Sequence, residues 1–258
     1  MRYAKHIFAL MIFFANQSDG SEQSTGALAA MMKQAKYSAG FEARMNVLVT
    51  KANGARGTPF KVAVIGQFNT DKQRVRINGV APESVRARFF AAERNGDGDI
   101  QSVAYSTVND AAQFDSNKKL FNSELVIWDM FSPWWSWPKQ AALANERINA
   151  RECINIRSVS DDINLLIREV ESCVDVKAKL SIRTRFFDSR HTLIRTATVW
   201  QTMRKGDSDA LAAKKLTITD AAGTVTEIEV YAGDEQYQIT TETFSALDVA
   251  RNKKPGPR

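Results

Sequence analysis

From Phe41 onward, apolar and polar residues alternate along the chain. "FEARMNVLVT" (41–50) reads as a strand, and "FKVAVIGQF" (60–68) returns as a second one. The Asn-Gly step in "KANGARG" between them predicts a tight turn. "QRVRING" alternates Arg74 and Arg76 with Val75 and Ile77, and "SVRARFFAAE" repeats the pattern, Val85, Ala87 and Phe89 against Arg86 and Arg88. A Gly- and Asp-rich turn, "RNGDGD", leads to the strand "IQSVAYS". Further strands follow in "RECINIRSV", "NLLIREVESCVDV", "KAKLSIRTRFFD", "HTLIRTATVWQTM", "KKLTITD" and "TVTEIEVYAG", the last two joined by a tight "AAG" turn. Short connections between such strands predict antiparallel neighbours. About ten strands with one wet and one dry face must twist and curl when they share a sheet.

Helical spacing occurs in two places. Over Thr25 to Ser38, Leu28, Met31, Met32 and Ala35 form one apolar stripe that Gly40 would end. The second place is Glu124 to Met130, which runs into "FSPWWSWP". Three of the five tryptophans, Trp134, Trp135 and Trp137, fall within four residues there, just after Trp128, Met130 and Phe131. Pro133 and Pro138 break the helix at the residues before them. These two segments are the available covers for a concave dry face. The expected fold is therefore mainly β with a few helices (α+β): a single curved antiparallel sheet, a half-open barrel under a helical lid. No strand–helix–strand alternation points to a doubly wound sheet. "FSALD" near Phe244 reads as a short turn or helix. The basic, proline-containing tail "ARNKKPGPR", from 249 to 258, reads as disordered.

The 258 residues suffice for a sizeable core, and 44% hydrophobic with 25% charged residues is ordinary for a globular protein. The N-terminus changes the picture more. "MRYAK" is a short basic region, and "HIFALMIFFA" is an apolar run too short to span a bilayer. Polar "NQSDGSEQS" follows. Residues 1–24 thus read as a secretory signal and linker, with an uncleaved anchor as the alternative. The mature domain would cover 25–248. Export permits Cys153 and Cys173 to form a disulfide; two buried free thiols are the alternative.

Little in the chain points to catalysis or a metal. His191, the histidine outside the leader, lies in a turn leading into a strand. No C-x-x-C or H-x-x-x-H occurs, and no glycine-rich phosphate loop precedes a helix. "NGDGDI" echoes a calcium loop but lacks the glycine at position six and the glutamate at position twelve, so it reads as a hairpin turn. The arginines at 74, 76, 86 and 88 read as a solvated outer sheet face, because the aromatics that would stack on bases lie elsewhere. The net charge of +6 favours approach to anionic surfaces without naming one.

The order of parts resembles the outer-membrane lipoprotein-sorting family, the LolA/LolB-like periplasmic carriers. The resemblance runs from about Ala27 to Leu247. It rests on the leader and first helix, "FEARMNVLV", "FKVAVIG", "LFNSELVIWDMFSPW", "SCVDVKAKLSIRTRFFDSRHTLIRTATV" and "TEIEVYAGDEQYQITTETFSALD". It implies a half-open barrel whose cavity holds lipoprotein acyl chains crossing the periplasm. The expected function is a non-enzymatic carrier or binder of such chains, without cofactor. The alternative is an interaction domain with a filled β core. The expected cavity lining is Leu28, Met31, Met32, Ile127, Trp128, Met130, Phe131, Trp134, Trp135 and Trp137. The expected partners are lipid or lipoprotein acyl chains and membrane-associated donor and acceptor proteins. Nucleic acid is not expected, and the carrier is expected to be a monomer.

Overall fold

The computed structural model describes residues 19–204 and 211–253, with the backbone alone over 19–24. The expected leader therefore lies outside the described residues, apart from its final polar stretch.

The alternating segments form strands. A helix, α1 (Asp19–Gln34), comes first, then β1 (Ser38–Thr50), β2 (Phe60–Phe68), β3 (Lys72–Ala81), a one-turn α2 (Glu83–Arg86), β4 (Phe89–Asn95), β5 (Ile100–Tyr105) and β6 (Ala112–Gln113). A short α3 (Ile127–Phe131) and a 3₁₀ turn (Pro133–Ser136) precede β7 (Lys139–Ala142), β8 (Glu146–Ile148), β9 (Arg151–Val159), β10 (Glu169–Asp175) and β11 (Leu180–Phe187). The chain closes with β12 (Leu193–Arg204), β13 (Leu211–Asp220), β14 (Val225–Asp234) and α4 (Ser245–Asn252).

All strands join one antiparallel sheet in the order β6-β5-β4-β3-β2-β1-β14-β13-β12-β11-β10-β9-β7, with β8 paired to β9. The sheet curls without closing. Its first and last long strands meet in the middle, and its free edges are β6 and β7. This has a topological consequence. The chain leaves the sheet at one free edge and rejoins it at the other, so residues 114–138 must cross the open side of the curl.

The structure corrects several expectations. The fourteen strands exceed the expected ten, because β6, β7 and β8 are too short to show a period. The pattern over 84–88 builds α2 and a loop rather than the start of a strand, and β4 begins at Phe89. The stretch 160–168 is a loop, so its strand starts only at Glu169. Gly40 does not end a helix; α1 stops at Gln34 and Gly40 lies in β1. A Cβ at Gly40 would sit 2.1 Å from the Tyr237 carbonyl oxygen, so glycine is needed where the returning chain crosses β1. α4 runs to Asn252 and takes in residues expected to begin the tail.

The arginine ladder also departs from the expected solvated face. Arg74 stacks on Phe244 at 4.5 Å and Arg76 donates to the Thr243 carbonyl at 3.2 Å. The segment leading into α4 thus lies over the convex side of β3, where Ala91, Val103, Phe244, Ala246 and Leu247 form a small second core. Only Arg86 and Arg88 remain in solvent. The convex side of β9–β11 does carry a polar ladder, in which Arg157 bridges Glu169 and Glu171, and Arg185 meets Glu171 at 2.8 Å.

Candidate functional site

Residues 114–138 lie against the concave face as a plug. α3 is apolar on both sides because the sheet curls round it. Ile127 and Phe131, one helical turn apart, face the β1–β4 side and pack with Val62, Val64, Ile77 and Phe90. Trp128 faces the β9–β11 side with Trp134 and Trp135, against Ile156, Val170, Val174 and Phe186. The indoles are close: Trp128 and Trp134 have ring centroids 5.5 Å apart, and Trp134 meets Phe186 edge-on at 5.4 Å. Ser132, with φ of 45° and ψ of 55°, turns the chain sharply between α3 and the 3₁₀ turn. Pro133 begins that turn, where its missing N–H costs nothing.

The ten expected lining residues therefore divide. Leu28, Met32, Trp128, Trp134 and Trp135 are buried in one cluster, with Met31 and Trp137 half-buried against it. Ile127 and Phe131 belong to the other cluster, with Met130 half-buried against it. The sequence could not separate these sets, since both faces of α3 are apolar. The rings occupy the concavity rather than roofing an open hollow. Two hollows of about 470 and 450 Å³ lie elsewhere, one beside Cys153 and Val176, the other beside Gly40 and Tyr237.

Beyond Phe114, whose N–H donates to the Ser102 carbonyl of β5 at 2.9 Å, the plug has few polar ties to the sheet, one of them from Lys119 to Asp220 of β13 at 3.3 Å. Glu124 N–H donates to the Thr226 hydroxyl at 2.8 Å, and Gln140 Nε2 donates to the Trp134 and Trp137 carbonyls at 3.0 Å each. Asp129 pairs with Arg195, whose guanidinium lies 4.5 Å over the Phe186 ring. Burial pushes the Asp129 carboxyl above its ordinary range, more than Arg195 pulls it down. Several buried polar atoms on the β9–β12 side meet no partner: Trp134 Nε1, Ser172 Oγ and Arg195 Nε.

One rim of the plug is held by charge, which sequence reasoning missed. Lys33 of α1 meets Asp97 at 2.8 Å, and Ser136 donates to the same carboxylate at 2.7 Å. Asp97 thereby joins α1, the β4–β5 turn and the 3₁₀ turn. Burial alone would raise its carboxyl, but the bonds from Lys33 and Ser136 and the charges of Lys33 and Arg94 hold it below the usual range. Arg94 points into the concave side and donates to the Gly98 carbonyl at 2.9 Å. Lys36, just past α1, donates to the Phe131 carbonyl and lies 5.5 Å over the Phe68 ring. Burial lowers its amine to about 7, helped by the charges of Arg94 and Lys33. The signal in the sequence was Asp97 itself: the turn that echoes a calcium loop supplies the bridging carboxylate.

Cys153 and Cys173 are joined, tying β9 to β10 with Cα atoms 5.3 Å apart. His191 sits in a turn with its ring exposed, 3.3 Å from Glu169. Among the described residues no cluster of His, Cys, Asp and Glu could hold a metal ion, and no helix is long and apolar enough to cross a membrane.

No family model matches the chain, and no curated protein matches its sequence. Solved structures do. An outer-membrane lipoprotein-sorting protein domain from Vibrio parahaemolyticus superposes over 89% of this chain and 100% of its own, with TM-score 0.75 and 14% identity. A DUF1329 family protein from Desulfovibrio piger superposes over 87% of this chain and 97% of its own, with TM-score 0.77 and 11% identity. A LolA superfamily protein from Nitrosomonas europaea covers the same shares, with TM-score 0.66 and 12% identity. The chain has the fold of the lipoprotein-sorting and LolA superfamily structures, a curled and unclosed antiparallel sheet with helices packed on it.

Proposed function

We propose that this chain is a non-enzymatic periplasmic carrier of acyl chains, serving lipoprotein sorting to the outer membrane. Residues 1–24 act as its export signal and linker, and residues from 25 onward form the carrier domain. The observation that carries this proposal is the plug. An apolar segment outside the strand ladder fills the space that the curl creates. Its part from Ser132 to Trp137 can leave without breaking a backbone hydrogen bond to a strand. Swinging out the part from Ser132 to Trp137 would uncover Leu28, Met31, Met32, Trp128 and Phe186 to a ligand. Methionines suit cargo of variable shape. The partnerless polar atoms Trp134 Nε1 and Ser172 Oγ would find partners in an ester carbonyl or in admitted water. Burying about ten methylenes would gain roughly 8 kcal/mol, of which the displaced aromatic contacts take a share. The cargo passes between membrane-associated donor and acceptor proteins, and the carrier acts as a monomer.

Titration with fatty acid or lipopeptide should change the emission of Trp134 and Trp135. An unchanged spectrum at saturating ligand would remove the proposal. The second candidate, an interaction domain with a permanently filled core, is favoured by the complete burial of Ile127 and Phe131. Organic extraction of natively purified protein followed by mass spectrometry separates the two. Co-purified lipid supports the carrier; lipid-free protein with a bound partner supports the filled domain.

A further inference from the structure

Beneath the plug, the floor of the concavity holds polar atoms that nothing in the protein satisfies. The strand register defines that floor. Val170 of β10 pairs with Phe186 of β11, which pairs with Arg195 of β12. The Arg195 guanidinium lies 4.5 Å over the Phe186 ring. Ser172 stands between Val170 and Val174, both in the tryptophan cluster, so the period of two turns its hydroxyl to the same concave side. Trp134 covers the floor, edge-on to Phe186 at 5.4 Å. Ser172 is 0% exposed and Arg195 5%, yet Ser172 Oγ and Arg195 Nε meet no partner, and Trp134 Nε1 has none either. These atoms share one chemistry. The two nitrogens each carry an N–H that can only donate, and the hydroxyl can donate too. One strand away the fold does supply an acceptor. Ser158, in register with Val170, is also wholly buried, and it donates to Gln140 Oε1 at 2.7 Å. What the floor lacks is therefore an acceptor, and the acceptor need bring no charge. Asp129 already neutralises Arg195 through a terminal nitrogen, so a second buried anion would stand unpaired. An ester carbonyl is a neutral acceptor and is the cheaper group to bury beside Phe186 and Val174.

We propose that Ser172 and Arg195 form a subsite for the carbonyl oxygens of an ester-linked acyl ligand, reached when the segment from Ser132 to Trp137 swings out. Arg195 Nε–H donates to one carbonyl and the Ser172 hydroxyl to another. The two donors sit on the strands flanking β11, which lie about 10 Å apart, so each takes its own oxygen. Trp134 leaves with the segment, and its partnerless N–H passes to water. This inference rests on the carrier proposal and narrows its cargo to acyl groups joined through esters. It also gives Ser172 a role that packing does not. A buried hydroxyl without a partner costs the empty protein stability and serves the loaded one.

The test is calorimetry on the delipidated full chain with dioctanoylglycerol and with its ether analogue dioctylglycerol, which keeps the chains and lacks the carbonyls. The ester should bind about tenfold or more tightly than the ether, as hydrogen bonds to two buried donors allow. Ser172→Ala should cut that preference about threefold or more and leave the ether affinity unchanged. The same variant should raise the melting temperature of the ligand-free protein by about 2–4 °C, because it deletes a buried group that has no partner. Arg195→Lys should also cut the preference while keeping a cation for Asp129, with near-ultraviolet dichroism of the indoles reporting an intact core. Equal affinity for ester and ether, or an unaltered preference in Ser172→Ala, overturns the inference and leaves the carrier standing. A lowered melting temperature in Ser172→Ala would show a hydroxyl already satisfied in the empty protein, by a buried water for example, and also overturns it. Failure of both lipids to bind overturns the carrier as well.

Discussion

The same sheet has two covers, and they are built differently. On the convex side, the turn at Thr241–Phe244 and α4 are fastened by polar contacts along their length. Arg251 meets the buried Glu93 at 3.0 Å, where Lys72 also reaches it. Lys253 donates to the Ala111 carbonyl, Arg74 stacks on Phe244, and Arg76 holds the Thr243 carbonyl. On the concave side, residues 114–138 touch the sheet almost wholly through apolar surface. Their charged fastening is limited to Asp97 and Lys36 on one rim, Asp129 with Arg195, and Lys119 with Asp220. The concave cover also leaves a buried indole N–H without a partner. Dispersed polar fastening fixes the strap. An apolar plug with a few ionic ties has a large burial energy but little orientational specificity, which is what a displaceable cover needs.

The comparison can be broken by mutation. The largest effect should come from Phe131→Ala, because Phe131 is wholly buried between α3 and the β1–β4 side. The expected loss is about 3–5 kcal/mol in a denaturant titration. A loss below about 1 kcal/mol would mean that the plug is already loose.

The next effect is a pH dependence. Burial lowers the folded-state amine of Lys36 from the ordinary 10.5 to about 7, so the unfolded chain binds the extra proton between those values. Stability should therefore rise with pH across that window through this group, and the full penalty should be present below about 7. Subtracting the pH profile of Lys36→Met from that of the parent should isolate this slope. A flat difference would place the amine in water.

Arg251→Ala should cost about 1–2 kcal/mol, since it leaves buried Glu93 with Lys72 as its remaining cation. Amide exchange should quicken over α4 and leave the tryptophan segment unchanged. The smallest global effect belongs to Asp97→Ala. Asp97 is half exposed, so stability should fall by less than about 1 kcal/mol. Exchange over 133–137 should nevertheless quicken about tenfold, because the carboxylate joins Ser136 to α1. Equal quickening in both covers would show that the two are one cooperative unit.

How much the sequence revealed follows from the range of each signal. The long strands β1, β2, β3, β9, β11 and β14 were legible, because a period of two is a local consequence of one wet and one dry face. The turns at Gly54 and Gly223 were legible too, since both glycines adopt positive φ. The arginine face was misread, because alternation reports which residues share a side and not whether another segment later covers that side. α2 was missed because one turn of helix is shorter than the window in which the two periods can be told apart.

The sequence by itself determined that this chain makes a curled antiparallel sheet and that its aromatic segment must be buried. Alternation and apolar content are properties of neighbours along the chain, and they act before any contact forms. Only the tertiary structure decided where the aromatic segment goes. Pairing β1 with β14 puts the free edges at β6 and β7, and the chain between them has no course except across the opening. That closure also brought Asp129 of α3 and Arg195 of β12 together. Charges distant in sequence acquire a common field only once the sheet between them has folded.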